Sequence, residues 1–145
     1  MSKMVSTYLC KKHLALIWFI GGIFLFLLFA LQSILGKYGN GTAEAWNWFL
    51  PSIMPSLSLV LGVIVLDVAR GGSKKTKIDR FIYHLVFFLS IIYLLLVVSI
   101  PLLQPLTGTD PLELMKRSNL WLAPFQGLVS AGLGIFFVKG EGVTQ

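Results

Sequence analysis

Four ionisable residues lie near the ends of two long apolar stretches, and they are the first candidates for chemistry in this sequence. Asp67 precedes Arg70 by three residues, and His84 follows Arg80 by four. At 1.5 Å of rise per residue, the members of each pair are about 4.5 and 6 Å apart along a helix axis. A carboxylate and an imidazole at such positions could relay protons or ions, because both side chains bind and release protons.

The segment that joins these two pairs is short, so the two apolar stretches should lie side by side and bring Asp67, Arg70, Arg80 and His84 into one layer. An ionisable group in an apolar helix is costly and is by default a functional hypothesis. Three interpretations are open: an ion-pair cluster that fixes the hairpin, a proton or ion relay, and a docking site for a cytosolic partner. The ion-pair cluster is favoured because the layer is shallow and its charges can stay hydrated.

Other patterns typical of catalysis are missing from the sequence. The single cysteine, Cys10, excludes an internal disulfide and a cysteine-rich metal site. There is no histidine–carboxylate set with metal-ligand spacing, and no serine has an evident base nearby in sequence. The glycine-rich basic segment 70–80 lacks the Gly-Lys-Ser/Thr ending of a phosphate loop. We therefore expect no catalytic residue, no cofactor and no metal ion.

The composition indicates a membrane protein. Of 145 residues, 56% are hydrophobic and 12% are charged, whereas a soluble domain carries roughly 25% charged residues. Four apolar runs reach the roughly 20 residues that a helix needs to cross the hydrocarbon core, and backbone groups in lipid must be bonded internally. The sequence therefore predicts an all-α transmembrane bundle, one domain over residues 1–145, made of two hairpins from helices at about 14–35, 50–69, 81–103 and 120–138.

Basic residues are distributed unequally between the two sides of these four crossings. One side holds Lys3, Lys11, Lys12, Arg70, Lys74, Lys75, Lys77, Arg80 and Lys139, and the other holds Lys37, Lys116 and Arg117. By the positive-inside rule, the first side and both termini should be cytoplasmic. The expected location is the plasma membrane, or the inner membrane in a bacterium.

The net charge of +6 comes from residues that flank the apolar runs. We expect the cytoplasmic basic residues to contact anionic lipid headgroups, in particular Lys11, Lys12, Lys74, Lys75 and Lys77. Nucleic-acid binding is not expected, because no soluble basic face is available to follow phosphates.

Small residues recur at helical spacing in the second and fourth apolar runs, and such ridges allow helix backbones to approach closely in membranes. The ridge residues are Ser58 and Gly62, together with Ser52 and Ser56, in the second run, and Ala123, Gly127 and Ala131, with Ser130 and Gly134 one step round, in the fourth. They should pack either within one chain or between chains. The third run has bulky residues and should face lipid.

Two features of the non-cytoplasmic side complete the predicted architecture. Segment 110–117 begins with Asp-Pro-Leu-Glu, which is typical of a helix start, and it predicts a short helix lying in the interface. Trp46, Trp48 and Phe49 lie where the second run begins and Trp121 where the fourth begins, and together they predict an aromatic belt at the membrane surface.

The function predicted from these observations is that of a non-enzymatic membrane subunit, which anchors a cytosolic protein partner or associates with itself as a homo-oligomer. The alternative is an oligomeric channel or pore-forming effector, and an intramembrane enzyme is third. A channel needs a polar stripe along a helix, and the polar candidates are few: Gln32, Ser33, Ser52, Ser56, Ser58 and Gln126.

Overall fold

The computed structural model describes residues 4–69 and 77–138, apart from the side chains of Asp67 and of residues 135–138. Within these residues, four α-helices of 28 residues each pack against one another, which confirms the predicted all-α bundle. At 1.5 Å per residue each is about 42 Å long, more than the roughly 30 Å of a hydrocarbon core. The helices are α1 (Thr7–Ile34), α2 (Thr42–Ala69), α3 (Arg80–Thr107) and α4 (Pro111–Val138).

Three helical segments are long and apolar enough to cross a membrane. They are Thr7–Ile34, Gly39–Leu66 and Arg80–Thr107, which correspond to α1, α2 and α3. Among the described residues α4 is not one of these segments. The fold is thus that of a helical-bundle membrane protein, and a fourth crossing by α4 stays a prediction.

A two-stranded antiparallel sheet closes one end of the bundle, which we call the sheet end. Strand β1 (Met4–Ser6) directly precedes α1, and strand β2 (Lys77–Asp79) directly precedes α3. Val5 lies opposite Ile78, and both side chains pack against the core. Two isolated strands of this length would be marginal in water, so their pairing depends on that packing. The sequence did not predict these strands.

The α1–α2 and α3–α4 connections lie at the opposite end of the bundle, which we call the loop end. Helix α1 stops there because Gly36 adopts a left-handed conformation with φ of +74°. The N–H groups of Gly36 and Lys37 donate to the carbonyls of Ser33 and Gln32 at 3.1 and 3.0 Å, the pattern of a Schellman motif. A single 3₁₀ turn, Gly39–Gly41, leads into α2.

The predicted helix positions are close, but the helices extend further than the apolar runs. The prediction of a separate short helix over 110–117 is wrong, because these residues belong to α4, which is one continuous helix from Pro111 to Val138. Pro111 is its first residue, as the sequence indicated, and the Leu114 N–H donates to the Asp110 carbonyl at 3.1 Å. Apolar runs mark only the part of a helix that lies in hydrocarbon, so they underestimate its full length.

Helix α1 presents two glycines to its neighbours. A Cβ at Gly22 would lie 2.9 Å from Leu57 Cδ1 of α2, and one at Gly21 would lie 3.0 Å from Leu94 Cδ1 of α3. Both distances are shorter than normal van der Waals contacts, so each leucine occupies space that any larger residue in α1 would need. Small residues of this kind drive close helix packing where the solvent is lipid.

The predicted small-residue ridges lie elsewhere. No atom of the described residues lies within 4 Å of a notional Cβ on Gly62 or Gly127, so no helix of the same chain approaches closely at these two glycines. Of the ridge residues, Ser58, Ala123 and Ala131 are exposed, Ser130 and Gly134 are half-buried, and Ser52 and Ser56 are buried. The packing glycine of α4 is Gly132, against Val86 of α3. Contact between chains stays a prediction.

Helix α3 does not simply face lipid, as its bulky residues suggested. It has one buried face with residues spaced alternately by four and three, the spacing of a coiled-coil seam: Val86, Ser90, Tyr93, Val97 and Ile100. The opposite side of the helix is exposed, including Leu95 with 60% of its surface accessible. The expectation that the bulky residues of α3 face lipid is therefore wrong for its buried side and right for its exposed side.

Replacing Gly22 by leucine should destabilise the bundle by about 1–3 kcal/mol, the usual cost of overpacking. The matched control is Gly62→Leu, which should leave the free energy of unfolding unchanged or slightly higher, because leucine favours helix and nothing obstructs it. The measurement is unfolding in detergent, followed by circular dichroism. Equal losses in the two variants would contradict the assignment of packing faces.

Candidate functional site: a polar network at the centre of the bundle

Tyr93 of α3 is fully buried and interacts with all three other helices. Its hydroxyl donates to the Ser52 carbonyl of α2 at 2.7 Å. Its ring lies 6.1 Å from that of Trp18 in α1 and stacks on Phe125 of α4 at 6.0 Å. Aromatic pairs of this kind add about 0.5–1.5 kcal/mol beyond their buried area. Tyr93 is therefore the residue at which the four helices meet.

Gln126 of α4 provides the second bond to the same part of α2. Pro55 has no amide hydrogen, so it cannot make the helical bond to the Pro51 carbonyl one turn earlier. Gln126 Nε2 donates to that carbonyl at 2.7 Å and to the Ser52 carbonyl at 3.2 Å. Pro51 is exposed on the bundle surface, and a carbonyl that faces lipid without a donor costs several kcal/mol. Gln126 thus replaces the amide that Pro55 lacks.

A third bond between helices joins α1 to α3 beside Tyr93. The indole Nε1 of Trp18 donates to Ser90 Oγ at 3.1 Å, and both side chains are fully buried. Hydrogen bonds between membrane helices average about 0.6 kcal/mol, so each contributes modestly. These bonds matter mainly because they are directional: each can form at only one register of the two helices that it joins.

Two buried polar atoms have no hydrogen-bond partner among the described residues, namely Ser56 Oγ and Trp48 Nε1. A helical serine normally donates to the carbonyl four residues earlier, as Ser52 does to Trp48 at 2.7 Å. For Ser56 that carbonyl belongs to Ser52 and already accepts from Tyr93 and Gln126. The network therefore displaces the usual bond of Ser56.

The loop end repeats the arrangement found at Pro51. Lys37, in the α1–α2 connection, donates through Nζ to the Pro101 carbonyl of α3 at 2.8 Å. That carbonyl has lost its helical donor, because the residue four positions on is Pro105. Burial lowers the pKa of Lys37 from its ordinary value. Helix α3 thus continues through both prolines to Thr107, past the predicted end at residue 103.

Phe29 of α1 forms the centre of an aromatic cluster near the loop end. Its ring stacks on Phe49 at 4.4 Å and on Trp48 and Tyr38 at 5.9 Å each. Trp46 contacts both Phe29 and Phe49 edge to face. Trp48 and Phe49 are buried within the bundle and so do not face the membrane interface as predicted, whereas Trp121 is exposed. Trp48 and Phe49 fix α2 against α1.

The predicted ionisable layer is described only in part. Arg80 is exposed at the start of α3, and His84 is half-buried one turn later. His84 Nδ1 lies 2.7 Å from the Arg80 carbonyl of its own helix. Arg70 and the side chain of Asp67 lie outside the described residues. Their grouping with Arg80 and His84 stays a prediction.

The predicted headgroup contacts are described for three of the five lysines. Lys11 is half-buried near the start of α1, Lys12 is exposed beside it, and Lys77 is exposed in β2. All three lie at the sheet end. Lys74 and Lys75 lie outside the described residues.

The described residues contain no group of three or more histidine, cysteine or acidic side chains that could hold a metal ion. No protein-family model, curated protein or solved structure matches this chain. The candidate site is therefore defined by its own geometry, as a structural hydrogen-bond network inside a membrane bundle.

Sequence reasoning missed most of this network. Gln126 and Ser52 were recognised as polar, but as elements of a stripe and not as bonded partners. A visible signal was the spacing Pro-x-x-x-Pro, which occurs at 51–55 and again at 101–105. Each occurrence removes the helical donor to a proline carbonyl, so each predicts a donor from elsewhere.

Tyr93→Phe should lower the free energy of unfolding by about 1 kcal/mol, because the Ser52 carbonyl loses its 2.7 Å donor but keeps Gln126. The control is Tyr8→Phe, at a position with 63% of its surface exposed, which should have no effect. Detergent unfolding of both variants measures the difference. A Tyr93→Phe protein as stable as wild type would contradict a central role for this bond.

Proposed function

We propose that this chain is a non-enzymatic, multi-pass membrane subunit that anchors a cytosolic partner or associates with itself. The observation that carries the proposal is that the polar side chains at the centre of the bundle hydrogen-bond to other helices of the same chain. Tyr93, Gln126 and Trp18 each donate to another helix of the same chain. Such groups hold a bundle together, whereas a reaction site or a transport pathway would present polar groups to a ligand.

An oligomeric channel or pore is the second candidate. Of the polar residues that could line a pathway, Gln32 accepts from Tyr38, and Ser33 and Ser52 donate to carbonyls of their own helices. Ser58 is exposed on α2. These bonds favour the structural role within one chain, so a pore would have to form between copies. Ion flux in liposomes that contain the purified protein would support this alternative, and an intramembrane enzyme stays third.

The charge distribution supports an orientation with the sheet end in the cytoplasm. Lys12, Lys77 and Arg80 are exposed at that end. At the loop end Lys116 pairs with Glu44 at 3.7 Å. An excess of lysine and arginine marks the cytoplasmic side, and basic residues there attract anionic headgroups by about 1 kcal/mol each.

The outward-facing ridge of α4 is the surface on which self-association should be tested. Gly127 leaves open space above it in the described structure, and Ala123 and Ala131 are exposed one turn away on either side. A ridge of this kind allows the backbone of a second helix to approach closely.

The orientation predicts which introduced cysteines an impermeant thiol reagent reaches in cells. In a Cys10→Ala background, Asn40→Cys at the loop end should react from outside, and Ser73→Cys should react only after the membrane is permeabilised. Labelling of the intact cell is compared with labelling of the lysate. Reaction of Ser73→Cys from outside would reverse the orientation.

Gly127→Leu should abolish self-association and leave the bundle folded, because a Cβ at this position has no atom of the described residues within 4 Å. The control is Leu95→Phe, which adds bulk on the exposed side of α3. The oligomeric state is measured by light scattering in detergent and by crosslinking in membranes. A Gly127→Leu protein that associates like wild type would favour the partner-anchor role.

A further inference from the structure

Two helices of the bundle contain the same interruption. In α2, Pro51 is followed four residues later by Pro55, and in α3, Pro101 is followed four residues later by Pro105. The second proline of each pair has no N–H to donate to the carbonyl of the first. Each helix continues through its pair, and in each the carbonyl of the first proline lacks its ordinary helical donor.

A side chain from another element donates to each of these two carbonyls. Gln126 Nε2 of α4 is 2.7 Å from the Pro51 oxygen, and Lys37 Nζ of the α1–α2 connection is 2.8 Å from the Pro101 oxygen. The donors differ in chemistry, one an amide and the other an ammonium, yet they serve the same position of the same motif. Proline breaks in membrane helices are tolerated when neighbouring groups bind the freed carbonyl.

We propose that the two paired-proline segments are hinges, and that Gln126 and Lys37 are the latches that hold them closed. Release of Gln126 would let the loop-end part of α2, residues 42–51, tilt relative to the rest of the helix. Release of Lys37 would free the last turns of α3, residues 102–107. This inference is independent of the proposed subunit role and concerns a movement built into the fold.

The two latches act on one moving unit. Lys37 precedes α2 in the connection from α1, so a tilt of the loop-end part of α2 carries the backbone of Lys37 with it and strains its bond to α3. The stacking of Phe29 on Phe49 opposes that tilt. The closed arrangement is therefore the resting state, and opening one hinge favours opening of the other.

The inference is tested by amide hydrogen exchange on the full chain in lipid nanodiscs. Gln126→Leu removes the donor, and exchange in the turn that follows Pro51 should become about fivefold faster. The double variant Gln126→Leu/Pro55→Ala restores a backbone N–H opposite the Pro51 carbonyl, and its exchange should return to that of wild type. The matched control is Asn119→Leu, which removes an exposed amide two turns earlier in α4.

The rescue distinguishes a latch from a packing residue. Unchanged exchange in Gln126→Leu, or faster exchange that persists in the double variant, would overturn the proposal for α2. If Gln126→Leu does not fold, folding of the double variant supports the latch, and failure of both overturns it.

The second latch is tested in the same way and independently. Lys37→Met should speed exchange in the last turns of α3 by a similar factor, and Lys37→Met/Pro105→Ala should restore it. Absence of that rescue would overturn the latch assignment at Lys37.

Discussion

A backbone carbonyl inside an apolar bundle needs a donor, and the carbonyls of Pro51 and Ser52 are where this constraint is most demanding. The Pro51 carbonyl has no helical donor because Pro55 lacks an N–H, and lipid cannot donate a hydrogen bond in its place. The donors come instead from Gln126 of α4 and Tyr93 of α3. Because a shift of one residue moves a helical side chain by about 1.5 Å and 100°, these bonds fix the register of both helices against α2.

Helix α1 is positioned by shape more than by polar contacts. Gly21 and Gly22 admit leucines from α3 and α2, and Trp18 adds one directional bond to Ser90. Apolar burial cannot distinguish the correct arrangement from others when the solvent is itself apolar. The bundle therefore depends on close approach at glycine together with a few bonds that are satisfied at one register only.

The sequence predicted what depends on composition and missed what depends on helix rotation. Apolar runs located all four helices, because hydrocarbon length constrains them directly. Gly22 and Gly62 look equivalent in the sequence, yet one accepts a leucine and the other faces open space. Which face of a helix is covered depends on the positions of all the others, so no local pattern could decide between them.

The candidate site was predictable to a similar degree. The spacing of the prolines indicates that a carbonyl lacks its donor, which is a local fact of the chain. The identity of the donor is not local, since Gln126 lies 75 residues from Pro51 and Lys37 lies 64 residues from Pro101. The two strands were missed for the same reason, because three residues such as Met4–Ser6 form a strand only when Lys77–Asp79 lies beside them.

The two ends of the bundle differ in how they use polar groups. At the loop end Lys37 binds a carbonyl, Lys116 pairs with Glu44 and Arg117 pairs with Glu113, so the described basic groups have partners within the chain. At the sheet end Lys12 and Lys77 are exposed to solvent or headgroups. Exposed pairs contribute little to stability, about 0–1 kcal/mol each, so the difference matters for contacts and not for folding. The exposed Lys12 and Lys77 therefore offer contacts for a charged partner or for lipid headgroups at the sheet end, which is the end that the proposed orientation places in the cytoplasm.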